Sequence, residues 1–304
     1  MNLGILVVYL VDEENEALLD LHLRQIESCT TVPYTLYAAV NRLPAQFIGK
    51  LQHHSHIKIC ECLPTDLRGK KEHSFYLECL VREAIQDTVT HIVTLHVDSF
   101  PIRRGWIEDL TQRLSPSCPL VTLNRMSTAC LLFPRDFYVH YCPRFLLSEA
   151  DRSSDQFKLF CEQWNPIDHS GTGYGFKAFC EGFSMSYLKE GNTNAQDTFG
   201  IIYEDLMFHL VGAAGIGLSQ ERKNKTTPRS LNALLLSHLR RVHRPLNASM
   251  KRLVKLILPA SLRRALSEKV YSEVTAGRLY KEAREELLSD PEAYWEYLRT
   301  GRRK

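Results

Sequence analysis

Along the first half of the chain, continuous apolar runs alternate with stretches in which apolar residues recur every three or four positions. That is the rhythm of buried strands alternating with amphipathic helices. Ile5 to Val11 predicts a first strand, and Asp12 to Asn15 a polar turn. From Glu16 on, Leu19, Leu23 and Ile26 keep helical spacing until the cluster Ser28 to Thr31 stops it. Tyr34 to Val40 and Ile57 to Cys62 predict the next two strands. Between the third strand and the fourth, Ser74 to Ile85 carries Phe75, Leu77, Leu80, Val81 and Ile85 as a helical packing stripe. Ile92 to Leu95 reads as a central strand buried on both faces, with Pro101 as its stop; a helix from Gly105 and a strand from Leu120 to Asn124 follow. The alternation predicts an α/β fold with a mixed, mostly parallel sheet flanked by helices.

The second half gives weaker patterns. Cys130 to about Asn165 reads as irregular and aromatic-rich, and Ile201 to Leu210 as a helix or the approach to one. Gly171 to Gly175 reads as a loop, because three alternating glycines are poor in any regular element. The polar cluster Glu221 to Ser230 suggests a boundary, with one domain over 1–220 and a helical extension over 221–304. Within that extension, Leu231 to Leu246 and Ala248 to Val270 are leucine-rich with Arg and Lys, and Ser272 to Leu298 is a charged helical pattern.

Charge sharpens this division. Residues 1–220 carry 18 Lys+Arg against 26 Asp+Glu, a balance of −8, and residues 221–304 carry 20 against 9, a balance of +11. Such asymmetry assigns the basic part to an anionic surface. With leucines interleaved among its cations, the tail suits a helix lying at an anionic membrane surface; it equally suits a helix packing its leucines on the core with its cations in water. No nucleic-acid reading motif accompanies the charge, so a specific nucleic acid is not expected.

A content of 44% hydrophobic and 24% charged residues excludes global disorder. The 9 cysteines are scattered and never spaced as C-x-x-C, which argues against a disulfide framework or zinc ribbon and for a reducing, cytoplasmic setting. No apolar run approaches the roughly 18 residues of a membrane span.

Ligands of open α/β sheets bind beyond the carboxyl ends of the strands, where this sequence places Asp12, Asn41 and the pair His96/Asp98. In an extended chain the last two point to one side. A carboxylate at the end of a buried strand is costly unless paired, hydrogen-bonded or metal-bound; Asp98 suits a hard divalent cation that also holds diphosphate oxygens, or the cap of the next turn.

The stretch His91 to Leu110, HIVTLHVDSFPIRRGWIEDL, resembles the D-x-D region of GT-A fold glycosyltransferases, especially family 2 of bacterial type. Asp98 stands where that family has its second, metal-binding Asp, and His96 where it has the first. ILVVYLVDEENE is similar to the family's first strand and acidic turn, and YTLYAAVNR to its second strand, ending here at Asn41. The resemblance, over about residues 3–215, implies a nucleotide-sugar donor held by Asp12, Asn41, His73 and His96, with Lys70 and Lys71 facing the cleft. It also implies a Mn2+ or Mg2+ ion on Asp98 and His209, and Asp168 as base, with Glu181, Glu204 and Asp205 as other candidates. An inverting transfer to a glycan or glycolipid acceptor is the implied reaction, in polysaccharide assembly at the inner face of the membrane. A sugar nucleotidyltransferase would show a Gly-rich basic signature after the first strand, where Asp12-Glu13-Glu14 stands instead. A GT-A-like partner without turnover, recruited through its tail, is the alternative that His96 in place of Asp keeps open.

Overall fold

The computed structural model describes residues 1–10, 15–123, 126–166, 170–192, 199–211 and 279–302. Two compact units divide the chain, Met1–Val211 with Glu286–Lys304, and Gly212–Glu285. Of the second, residues 279–285 are described, and they are helical. The basic stretches 231–246 and 248–270 lie outside the described residues.

In the first unit a repeating strand–helix pattern opens the fold: β1 (Leu3–Val8), α1 (Glu16–Cys29), β2 (Tyr34–Ala39), α2 (Ala45–Gln52), β3 (Ile57–Cys60), α3 (Lys70–Ala84) and β4 (His91–Leu95). Then follow β5 (Ser99–Pro101), α4 (Trp106–Thr111), β6 (Leu120–Leu123), β7 (Ser127–Pro134), α5 (Arg135–Tyr141), α6 (Glu149–Ser153), α7 (Asp155–Trp164) and α8 (Thr172–Cys180). The unit ends with β8 (Met185–Tyr187), β9 (Gly200–Tyr203), β10 (Met207–Leu210) and α9 (Pro291–Thr300). Seven strands form the main sheet in the order β3-β2-β1-β4-β7-β6-β8, and β5-β10-β9 form a small antiparallel sheet. β1 to β4 pair in parallel, whereas β7 runs antiparallel to both neighbours. The sheet is therefore mixed and mostly parallel, as the sequence predicts.

Period-two alternation makes two cores. Leu3, Ile5, Val7 and Tyr9 meet α1, α2 and α4 through Leu19, Phe47 and Trp106, while Leu6 and Val8 meet α3 and α8 through Leu77, Leu80 and Tyr174. Trp106 is fully buried and its indole N–H donates to Thr30 Oγ1 at 3.2 Å.

Three expectations are overturned. Cys130 to Asn165 is regular: β7 inserts into the centre of the sheet and α5 to α7 follow. The glycine loop is the start of α8, because Cβ atoms at Gly171 and Gly173 would run into the carbonyl oxygens of Met126 and Arg144, and one at Gly175 into the Met126 side chain. Close approach of the helix, not a turn, requires these glycines. The predicted helix over Ile201 to Leu210 is a hairpin, because β10 pairs with β9 and β5 at once. Its turn has positive φ at Glu204 and Asp205, with the Leu206 N–H donating to Tyr203 O at 2.9 Å, the type I′ arrangement that matches strand twist.

At the chain's end, residues 286–302 group with the first unit. Asp290 caps α9 by accepting from the Ala293 N–H at 3.0 Å, Pro291 opens it and Gly301 closes it at φ 70°. Tyr294 and Trp295 pack against Phe208, and Trp295 also against Phe100. Arg299 Nε donates to Asp205 at 2.6 Å. With Asp205 58% exposed, Arg299→Ala is expected to lower stability by less than about 1 kcal/mol in urea titration; a larger loss would mean that α9 detaches.

Candidate metal and nucleotide site

Beyond the carboxyl end of β4 the chain does not stay extended. Ser99 N–H donates to His96 O at 3.0 Å, closing a tight turn, and Ser99 Oγ both accepts from the His96 N–H at 2.9 Å and donates to Ala129 O. His96 and Asp98 thus share a side of the sheet because a turn brings them together, not because they alternate along a strand. Asp98 is 5% exposed.

The small sheet supplies the third group. Pairing of β10 with β5 sets His209 opposite Ser99, and Leu210 N–H donates to Asp98 O at 2.8 Å. His209 Nε2 and His96 Nδ1 each lie 3.8 Å from Asp98 Oδ1. That is too long for a hydrogen bond, and this buried oxygen accepts none among the described residues. Burial pushes the Asp98 carboxyl up to about 7.

One ligand atom from each of His96, Asp98 and His209 lies within 4.8 Å of the others. A single ion with bonds of about 2 Å joins such atoms with small side-chain movement. The set fits a metal on two grounds: a buried carboxylate oxygen lacks a donor, and two imidazoles flank it. One oxygen with two nitrogens suits Mn2+ or another first-row ion better than Mg2+, which prefers oxygen throughout.

Surrounding groups fix the imidazoles. Thr128 on β7, 2% exposed, bonds His96 Nε2 through Oγ1 at 2.9 Å, which leaves Nδ1 toward Asp98. The His73 ring on α3 meets the His96 ring edge-on at 4.9 Å between centroids, and its Nδ1 lies 3.0 Å from Ser170 Oγ. His73, His96, Asp98 and His209 are therefore brought together. Asn41 is not: it is exposed and its amide donates to Cys62 O at 2.7 Å. Asp12 and Asp168 lie outside the described residues.

The other candidate bases are engaged elsewhere. Glu181 pairs with Lys177 at the end of α8, Glu204 pairs with Arg113 and accepts from the Lys189 N–H, and Asp205 pairs with Arg299. Sequence reading missed Thr128 and Ser170. Nothing local marks them, since only the antiparallel insertion of β7 and the approach of α8 bring them to the histidines.

The fold and cluster define an α/β protein with a His-Asp-His group of the kind that can hold a metal ion, at the carboxyl edge of its sheet. No protein-family profile matches the chain, and no curated protein does. Similar solved structures include mouse xyloside xylosyltransferase 1, at 9% identity and a TM-score of 0.37 over 62% of this chain and 86% of that one. The mannosyltransferase PcManGT of Pyrobaculum calidifontis, solved with GDP-Man and Mn2+, aligns at 12% identity and 0.38 over 61% and 54%. The glycosyltransferase GlyE of Streptococcus pneumoniae aligns at 12% and 0.36 over 61% and 45%. The chain thus spans about half the length of the last two. Among the described residues no helix is long and apolar enough to cross a membrane.

Proposed function

We propose that this protein is a GT-A glycosyltransferase that moves a sugar from a nucleotide-diphosphate donor to a hydroxyl of a glycan or glycolipid, assisted by a divalent cation. The observation that carries the reading is the buried Asp98 oxygen flanked by His96 and His209 where an α/β sheet binds its ligands. The H-x-D stretch and the acidic sequence Asp12-Glu13-Glu14 support the same assignment, family 2 and bacterial type included. His96, Asp98 and His209 would hold Mn2+; when bound, the ion supplies positive charge against the charge that builds on the leaving diphosphate.

In this reading Asp12 and Asn41 orient the nucleoside, and Asp168 takes the acceptor proton in one inverting displacement. In this reading the Thr128 hydroxyl, 2.9 Å from His96 Nε2, accepts a hydrogen bond from it and directs Nδ1 toward the metal. Thr128→Val is accordingly expected to weaken Mn2+ binding about 10- to 100-fold by electron paramagnetic resonance titration, with Thr128→Ser close to wild type. Equal affinity in Thr128→Val would remove the orienting role. The basic stretch within 221–304 would attach the enzyme to an anionic membrane face, with its reaction on the cytoplasmic side.

The function is tested by melting the full chain with UDP, dTDP, GDP, CDP or CMP, with and without Mn2+ or Mg2+. A donor nucleotide at a hundredfold excess over its Kd adds about 2.7 kcal/mol. One diphosphate is expected to raise Tm with Mn2+ and not without metal. A cooperative melt that none of them shifts would defeat the transferase reading.

A further inference from the structure

Two of the three candidate ligands depend on the small sheet: Asp98 directly precedes β5, and His209 lies on β10. Strands as short as β5, with three residues, hold together only when one face of their sheet packs on something apolar. The separation of Asp98 and His209 is therefore set by whatever covers that face.

Strand alternation divides the residues of this sheet between two sides. Ser99 pairs with His209, and Phe100 pairs with Phe208. His209 faces Asp98, while the two fully buried phenylalanines take the reverse side, their ring centroids 5.4 Å apart. One side chain spans the pair. Trp295 of α9, 4% exposed, has its ring 6.4 Å from that of Phe100 and 6.2 Å from that of Phe208. Phe100 comes two residues after Asp98, and Phe208 immediately precedes His209, so the indole backs both ligand-bearing segments at once. His22 of α1 meets Phe100 edge-on at 6.2 Å, which places the phenylalanine pair between α1 and α9.

Hydrogen bonding does not account for a tryptophan here. Its buried Nε1 has no partner among the described residues, a cost that phenylalanine would avoid. What the indole adds over a single ring is the width to reach both phenylalanines.

We propose that Trp295 is a positioning residue for the metal-ligand set: it braces the reverse face of β5 and β10 and so holds Asp98 and His209 at the separation one ion needs. It acts through Phe100 and Phe208. The consequence for metal binding rests on the metal-assisted reading, whereas the brace itself can be measured without metal.

The first measurement is amide hydrogen exchange of the full chain in EDTA, followed by NMR at Leu210, whose N–H donates to Asp98 O at 2.8 Å and so reports the contact between the two segments. Trp295→Ala is expected to speed Leu210 exchange at least about tenfold, because deleting a buried aromatic side chain shifts a local opening equilibrium by more than that. The control is Leu298→Ala. Leu298 is buried on the same helix but lies over β9, where its Cδ1 would stand 3.0 Å from a Cβ added at Gly200. That variant should lower Tm comparably and change Leu210 exchange far less. The second measurement is Mn2+ affinity by electron paramagnetic resonance titration, expected to fall about tenfold or more in Trp295→Ala. It should fall by less in Trp295→Phe and stay close to wild type in Leu298→Ala.

Faster Leu210 exchange in Trp295→Ala, with no Mn2+ binding by the wild type, would leave the brace standing and refute the metal reading. Unchanged Leu210 exchange in Trp295→Ala, or an equal acceleration in Leu298→Ala, would overturn the proposal. So would Mn2+ binding by Trp295→Ala with the affinity of the wild type.

Discussion

Asp98→Asn is expected to abolish divalent-cation binding and sugar transfer while making the metal-free protein more stable than the wild type above pH 7. Both effects come from one buried oxygen. In the folded chain burial holds the Asp98 carboxyl near 7, against 3.8 in the absence of the fold. Folding therefore retains a proton that the unfolded chain releases at lower pH, so the stability of the metal-free wild type falls as pH rises from about 4 to about 7 and then levels off. That difference amounts to a loss on the order of 4 kcal/mol for this group. Asn carries no proton to lose, so its variant should lack this fall. Urea titrations in EDTA at pH 5, 6, 7 and 8 check the prediction. Parallel pH profiles for the two proteins would show that the Asp98 carboxyl has another partner, and Mn2+ binding by Asp98→Asn would remove it from the ligand set.

The second large effect concerns packing. Gly173→Ala is expected to cost about 3 kcal/mol, because its Cβ would be driven into the backbone carbonyl of Arg144, which has no rotamer by which to yield. Gly49→Ala, inside α2 with nothing within 4 Å of the added carbon, should instead raise stability by about 0.5–1 kcal/mol. The same substitution thus has opposite signs in two helices. Denaturant unfolding of both variants tests it; a near-neutral Gly173→Ala would mean that α8 can move away from Arg144 and that the seat of Ser170 is soft.

The parallel half of the sheet was legible because its signals are local. A strand buried on both faces must be apolar throughout, as β1 and β4 are, and α1 must repeat its apolar residues at helical spacing to cover them. The end of β4 was legible for a related reason: polar His96 and Asp98 directly after a buried run need a partner of some kind, and the structure gives Asp98 two imidazoles and no hydrogen bond to Oδ1. Where one residue pattern fits two structures, local reading failed. Tyr203 to Leu210 has apolar residues at both helical and strand spacing, and the Gly171 to Gly175 stretch looks like a loop until Met126 and Arg144 are seen to leave no room for side chains.

By itself, then, the sequence determined an α/β sheet, a polar set at the carboxyl end of its central strand and a division of charge between the two parts of the chain. The tertiary structure alone decided which residues complete the set. His209 reaches Asp98 through antiparallel pairing with β5, Thr128 reaches His96 through the insertion of β7, and Ser170 reaches His73 through the approach of α8. Each of these contacts joins residues that are distant along the chain, and contacts of that kind follow from strand pairing and helix packing, which leave no periodic mark on the residues they bring together.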